Sequence, residues 1–128
     1  MRKIKLMLTP LLIAMMIIIA GCQDTVKEPR KDTTSAVKIE ITMDNGKEKV
    51  TKKKVDLKNQ ANVYDLMKEN FKIEDNNGMI TSIENKKQDT TKSKYWMFEV
   101  NNKPAMKGAK EYEVKAGDVI TWDLHEAK

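Results

Sequence analysis

The feature that most constrains the fold is a two-residue alternation of apolar and polar side chains. It recurs in Ala36–Met43, Tyr95–Val100 and Val119–Leu124, and such alternation is typical of β-strands with one buried face. Asn62–Phe71 instead has apolar residues at helical spacing behind a good N-cap residue, Asn62. Strands therefore flank one helix without alternating β and α units. The order predicts a small α+β domain in which one helix packs on a mixed β-sheet.

Turn residues divide the strands. Asp44–Gly46 and Asn101–Asn102 predict hairpin turns, because Asn and Gly tolerate positive φ. Four further segments are predicted: a Lys-rich edge strand (Glu48–Leu57), a short buried strand (Met79–Ile83), a mobile polar loop (Glu84–Lys94) and another strand (Glu111–Val114).

The N-terminal segment has the pattern of an export signal. A positive start, Met1–Lys5, precedes the apolar run Leu6–Ala20, which at about 15 residues is short for a permanent span of a ~30 Å hydrocarbon core. The run ends Ile19-Ala20-Gly21-Cys22, which resembles the lipobox of bacterial lipoproteins. It predicts a signal peptide at residues 1–21 and a Cys22 acylated, for example with palmitate. An ordinary signal peptide with an incidental Cys is the alternative.

The polar segment after Cys22 predicts a flexible tether over residues 22–35, ahead of a folded domain at residues 36–126. Two or three acyl chains would hold such a protein stably in a membrane. Lys outnumbers Arg 22 to 2, which hints at an AT-rich genome and a Gram-positive source. We therefore expect an extracytoplasmic protein anchored at the outer face of the cytoplasmic membrane.

Charge and composition exclude several function classes. Without residues 1–21 the formal net charge falls from +5 to +2, from 21 basic and 19 acidic residues, which does not favour nucleic-acid binding. A single Cys excludes an internal disulfide and a Cys-based zinc site, and a single His, His125, excludes most acid–base and nucleophile–base schemes. We predict that the protein is not an enzyme and has no catalytic or metal site, and that His125 is solvated.

Four segments together carry a family resemblance: Asn62–Leu66, Met79–Ile83, Tyr95–Ala105 and Gly108–Trp122. They resemble the transcobalamin-like C-terminal domain of many bacterial surface proteins of unknown function. The resemblance covers roughly residues 37–124 and implies a β-grasp-like domain with one helix across a mixed sheet. In vitamin carriers the related domain forms one wall of a cobalamin site beside a larger helical domain, so a corrinoid is the ligand that the resemblance implies.

Four side chains are the candidate ligand contacts. Trp96 and Trp122 could offer indole faces to a flat ligand, although their face-mates Val100, Ile120 and Leu124 favour a core role. Tyr95 and Met97 lie on the opposite face of their strand and are candidates for an exposed contact patch.

Three other features are explained without ligands. The Asp- and Asn-rich turns at Asp44–Asn45 and Glu74–Asn77 lack the spacing of a calcium loop. Asp118 is expected to bond amides of its own turn. The basic stretch Lys47–Lys54 fits a solvated edge strand, with contact to anionic lipid as the alternative.

Two function classes remain. The first is a lipid-anchored binding module that captures a small molecule such as a corrinoid for a membrane transporter. The second is a cell-surface protein-interaction or structural module with no small ligand. An exposed aromatic cleft beside the Trp96 strand would favour the first, and two buried Trp side chains would favour the second. Oligomeric state stays open.

Overall fold

The computed structural model describes residues 35–128. The predicted signal peptide, Cys22 and nearly all of the tether lie outside the described residues. The elements are β1 (Ala36–Met43), β2 (Glu48–Asp56), α1 (Val63–Asn70), β3 (Ile73–Asn76), β4 (Met79–Ile83), β5 (Lys86–Lys87), a 3-10 turn (Thr90–Lys92), β6 (Lys94–Val100), β7 (Lys103–Pro104) and β8 (Val119–Glu126).

A five-stranded mixed sheet organises the domain, with strand order β2-β1-β8-β6-β7. The central pair, β1 and β8, is parallel, and the other pairs are antiparallel. A second, antiparallel sheet has the order β3-β4-β5. The prediction of an α+β domain with one helix and a mixed sheet is confirmed.

The helix begins as its sequence predicts. The Asn62 side chain accepts a hydrogen bond of 2.8 Å from the amide of Asp65, which satisfies one of the otherwise unpaired N–H groups of the first turn. Val63, Leu66 and Met67 are buried. At eight residues, α1 depends on this apolar stripe for its stability. Within residues 35–128, no helix has the length and apolar content needed to cross a bilayer.

The two faces of the five-stranded sheet differ sharply. The core face is formed by the side chains Val37, Ile39, Ile41, Trp96, Phe98, Val100, Ile120, Trp122 and Leu124, and every one of them except Phe98 is buried. The open face is formed by the side chains Glu40, Thr42, Tyr95, Met97, Glu99, Thr121, Asp123 and His125. Met97 is 42% exposed, and Glu99 is also exposed.

The prediction of a strand at Glu111–Val114 is wrong. Val114 donates to the carbonyl of Ala61, and Tyr112 accepts from the amide of Val63. The segment makes only an isolated bridge, between Glu113 and Asn62. Its backbone groups pair with the residues around the start of α1, so they are not available for a strand ladder.

The prediction of a mobile loop at Glu84–Lys94 is also wrong, because the segment contains β5 and the 3-10 turn. Asp89 caps that turn by accepting from the amide of Thr91 at 3.0 Å. The Trp96 indole donates to the carbonyl of Lys86 at 2.9 Å. A polar sequence is thus ordered by bonds to its neighbours rather than by burial of its own side chains. The strand β3 was not predicted at all.

Candidate functional site

The candidate site is a shallow depression on the open face, with a volume of about 380 Å³. Its lining consists of Glu40, Thr42, Asn45, Gly46, Met97, Glu99, Asn102, Thr121, Asp123 and His125. Most of these side chains come from β1, β6 and β8, because alternate residues of neighbouring strands project from the same side of a sheet. The depression therefore has a rigid floor of paired strands.

Asp123 is the centre of this site. One carboxylate oxygen accepts from the Thr42 hydroxyl at 2.5 Å and from the Gly46 amide at 2.8 Å. The other accepts from the Asn45 amide at 3.0 Å and lies 2.7 Å from Nδ1 of His125. These contacts satisfy a carboxylate side chain that is only 14% exposed.

The turn between β1 and β2 is shaped so that its amides reach this carboxylate. Asp44, Asn45 and Gly46 have φ values of 53°, 59° and 78°. This run of left-handed residues directs the amides of Asn45 and Gly46 toward Asp123. The prediction of a turn with positive φ is confirmed, and the turn also forms one wall of the site.

The pKa of Asp123 reflects two opposing effects. Burial alone would raise this pKa, since it disfavours the charged carboxylate, but the hydrogen bonds that the carboxylate accepts outweigh burial and leave the pKa below its usual value. Asp123 is therefore ionised at neutral pH. An ionised carboxylate can only accept, so Nδ1 of His125 carries the hydrogen of their 2.7 Å bond.

The prediction that His125 is solvated is wrong. Its side chain is 25% exposed and bonded to Asp123. The two residues are two apart on β8, so they project from the same face. The sequence signal was an Asp-x-His pair at the end of the predicted strand Val119–Leu124, which the structure extends to Glu126.

The structure separates the four predicted contact residues into two pairs. Trp96 and Trp122 lie on the core face, 7% and 3% exposed. Tyr95 and Met97 lie on the open face, where Tyr95 is opposite His125 and Met97 is opposite Asp123. Met97 lines the depression, and Tyr95 lies beside it on the same face. Ligand contact by any of the four side chains stays a prediction.

Trp122 has a second notable property. Its ring stacks on Phe98 with centroids 4.8 Å apart, and Phe98 meets Tyr112 edge to face at 6.0 Å. Within residues 35–128 the buried Nε1 of Trp122 has no hydrogen-bond partner. The indole is thus held by stacking and burial alone.

Asp118 behaves as expected. Its carboxylate accepts from the amide of Lys115 at 2.9 Å, inside its own turn, and from the side chain of Asn101 at 3.0 Å. Asn101 in turn accepts from the amide of Val119 at 2.9 Å. These bonds connect two turns at one end of the sheet, which is a structural role.

Fold and site together define a one-helix α+β domain with one buried and one accessible sheet face. The chain belongs to the family described as "Domain of unknown function (DUF4430)", whose model matches residues 60–126. None of the curated protein sequences matches the chain significantly.

One solved structure supports the fold. The chain is similar to a protein from Ruminococcus gnavus ATCC 29149 to which metal binding is provisionally ascribed, with a TM-score of 0.60, 14% identity, and coverage of 73% of this chain and 98% of that one. It is also similar to haptocorrin in complex with Cbi, with a TM-score of 0.49, 18% identity, and coverage of 72% of this chain and 26% of that one. At these identities the likeness concerns the fold alone. Membership of the transcobalamin-like family stays a prediction.

Proposed function

We propose that this chain is a lipid-anchored, extracytoplasmic binding module that captures a corrinoid, or a similar metal macrocycle, on its open face. Cys22 would hold the protein at the membrane, and the module would pass its ligand to a membrane transporter. The contact to the ligand would be made by Nε2 of His125, with Met97 and Tyr95 beside it. Binding rather than catalysis is proposed.

The bond between Asp123 and His125 carries this proposal. A carboxylate that accepts from one imidazole nitrogen fixes the ring orientation and makes the other nitrogen a better metal ligand. Here Nδ1 of His125 is 2.7 Å from Asp123, which leaves Nε2 for a metal. Asp123 is itself held by Thr42 and by the β1–β2 turn. The ring is thus oriented before any ligand arrives.

A single oriented histidine suits a particular class of ligand. Within residues 35–128, no group of three or more His, Cys, Asp or Glu side chains could hold a bare metal ion. A metal in a macrocycle already has its equatorial positions filled and needs only one axial donor from a protein. The neighbouring Met97, 42% exposed, offers a polarisable apolar contact to the flat ring of such a ligand.

The test is a titration with corrinoids that differ in their axial positions. Hydroxocobalamin and aquocobinamide have an axial ligand that imidazole can replace, and dicyanocobinamide has both axial positions blocked. We expect the visible spectra of the first two to shift saturably, with little change for the third. His125→Ala should abolish the shift, and Lys115→Gln, which is not among the residues that line the depression, should retain it. Equal responses of wild type and His125→Ala would contradict the proposal.

A protein-interaction module is the second candidate function. The observation that favours it is the burial of both Trp96 and Trp122, which leaves no aromatic cleft of the predicted kind beside β6. An open face that is shallow rather than enclosed also suits a flat partner surface. If no corrinoid shifts its spectrum, crosslinking from a photoreactive residue at position 97 in intact cells becomes the informative experiment. A specific crosslinked protein, lost in Asp123→Asn, would support this second function.

The anchor is tested separately in the full-length chain. Cys22→Ser should release the protein from the membrane fraction, because the acylated thiol is absent. Metabolic labelling with a palmitate analogue should mark the wild type and not the variant. Labelling of both, or of neither, would contradict anchoring through Cys22.

A further inference from the structure

We infer that the edge strand β2 is a docking surface for an anionic lipid membrane, so that the anchored domain contacts the membrane through this edge. The inference rests on the proposed lipid anchor. The observation behind it is an uneven charge distribution. Residues 35–59 carry seven Lys and four acidic residues, a net +3, whereas residues 60–128 carry eleven Lys and twelve acidic residues, a net −1. The β1–β2 hairpin therefore holds the excess positive charge of the described domain.

The position of β2 makes this charge available. It is an outer strand of the five-stranded sheet, and in the described structure no further strand lies beyond it. The lysines at positions 47, 49, 52, 53, 54 and 58 are all exposed. Of these, Lys53 donates to the carbonyl of Asn70 at 3.0 Å, and Lys49 lies 3.5 Å from Glu40. Lys47, Lys52 and Lys58 lie along the length of this edge and are the lysines that the test uses.

The start of the described chain lies beside this strand. Ser35 accepts a hydrogen bond from the amide of Leu57, directly after β2. Whatever precedes Ser35 thus joins the domain next to the basic edge. Twelve residues separate Cys22 from Ser35, and even fully extended they span at most about 43 Å. An anchor at Cys22 would keep the basic edge near the bilayer and raise its effective concentration there.

Anionic headgroups fit this surface better than an added strand of a peptide. Lysines along an edge strand discourage β-pairing with other chains, whereas each lysine close to an anionic membrane contributes favourably to binding. The attraction decays within a Debye length of about 10 Å, so it acts once the domain is close to the surface. With β2 against the membrane, β7 is at the distant edge of the sheet. The sheet is then upright on the membrane, and its open face is directed sideways rather than toward the lipid.

The experiment uses the unacylated chain Gln23–Lys128, which contains the whole compact unit, with vesicles of phosphatidylcholine alone or mixed with phosphatidylglycerol. We expect cosedimentation with the anionic vesicles only. Raising the ionic strength until the Debye length falls from about 30 Å to about 3 Å should remove it. Because the anchor is absent from this chain, the result is independent of acylation at Cys22.

Two matched triple variants test the location. Replacing Lys47, Lys52 and Lys58 with Gln should weaken binding to anionic vesicles at least about tenfold, since each lysine near the surface is worth roughly a factor of five. Replacing Lys103, Lys107 and Lys115 with Gln removes the same charge from three lysines that line one depression beside β7, and it should cost less than about threefold. Circular dichroism verifies that both variants fold. Equal losses, or equal binding to neutral vesicles, would overturn the inference.

Discussion

The core face and the open face of the five-stranded sheet are made by the same strands, yet one is buried and apolar and the other is accessible and polar. Trp122 and Asp123 are neighbours on β8, and they project to opposite sides. Trp122 is buried against Phe98, while Asp123 collects four polar contacts around the depression. The alternation of a strand thus separates a core side chain from a side chain of the candidate site within one residue step. Substitutions at consecutive positions should therefore have different consequences.

Replacing Trp122 with Ala should have the largest effect on stability. The change removes a large stacked side chain from a site that is 3% exposed. We expect a loss of about 3–5 kcal/mol in the free energy of unfolding, measured by urea denaturation. Met97→Ala is the matched control from the open face. Equal losses for the two variants would show that the assignment of faces is wrong.

Asp123→Asn should have the next largest effect. At neutral pH the variant loses charge-assisted hydrogen bonds from Thr42, the β1–β2 turn and His125, and we expect about 1–3 kcal/mol of destabilisation. Glu99→Gln is the control, because Glu99 is an exposed carboxylate on the same face. It should leave the unfolding free energy almost unchanged.

The destabilisation caused by Asp123→Asn should also depend on pH, in a direction that the pKa of Asp123 determines. The pKa of this carboxyl is lower in the folded protein than its usual value near 4. Its stabilising contribution is therefore complete above about pH 4 and is lost as the pH falls toward the folded-state pKa. The difference in unfolding free energy between wild type and Asp123→Asn should shrink on acidification below about pH 4. A difference that grows on acidification would contradict the pKa assignment.

The two buried tryptophans offer a finer comparison within the core face. Trp96→Phe removes the 2.9 Å bond to the carbonyl of Lys86 as well as apolar area, whereas Trp122→Phe removes an N–H without a partner in the described residues. We expect Trp96→Phe to cost about 1 kcal/mol more in unfolding free energy than Trp122→Phe. Parallel urea curves measure the difference. The reverse order would indicate that the Trp122 indole has a partner in solution.

Met97→Ala should have the smallest effect on stability, within about 0.5 kcal/mol, because its side chain is largely exposed. Tyr95→Ala, at a half-buried position, should also leave the domain folded. Both variants should nevertheless weaken binding of hydroxocobalamin if the open face is the binding surface. Unchanged affinity in both would remove the open face from the proposed function.

Local patterns predicted the regular elements well. The alternation in Ala36–Met43 and Val119–Leu124, the cap at Asn62 and the turn at Asn101–Asn102 are all observed. Each depends on residues close in the chain. The prediction at Glu111–Val114 is wrong because backbone groups of this segment bond to Ala61 and Val63, far earlier in the chain. The prediction at Glu84–Lys94 is wrong for a different reason, because bonds to residues nearby in the chain order this polar segment.

The candidate site was predicted only in part. Tyr95 and Met97 were assigned to the face opposite the Trp96 side chain from strand alternation alone, and the structure agrees. Asp123 and His125 were missed as a pair, although their spacing on a strand places them on one face. What the sequence could not predict was the contact between the β1–β2 turn and Asp123, because Thr42, Asn45 and Gly46 are 77 to 81 residues away from Asp123 in the chain.

The class of fold follows from the sequence, since the period of apolar residues and the capping and turn residues act locally. The parallel pairing of β1 with β8, and with it the contact between the first turn and Asp123, depends on long-range packing. That pairing places a carboxylate, a histidine and two left-handed amides at one end of the open face. The alternation of apolar and polar residues in a strand predicts the side to which each residue projects, but it does not predict which distant strand pairs with that strand.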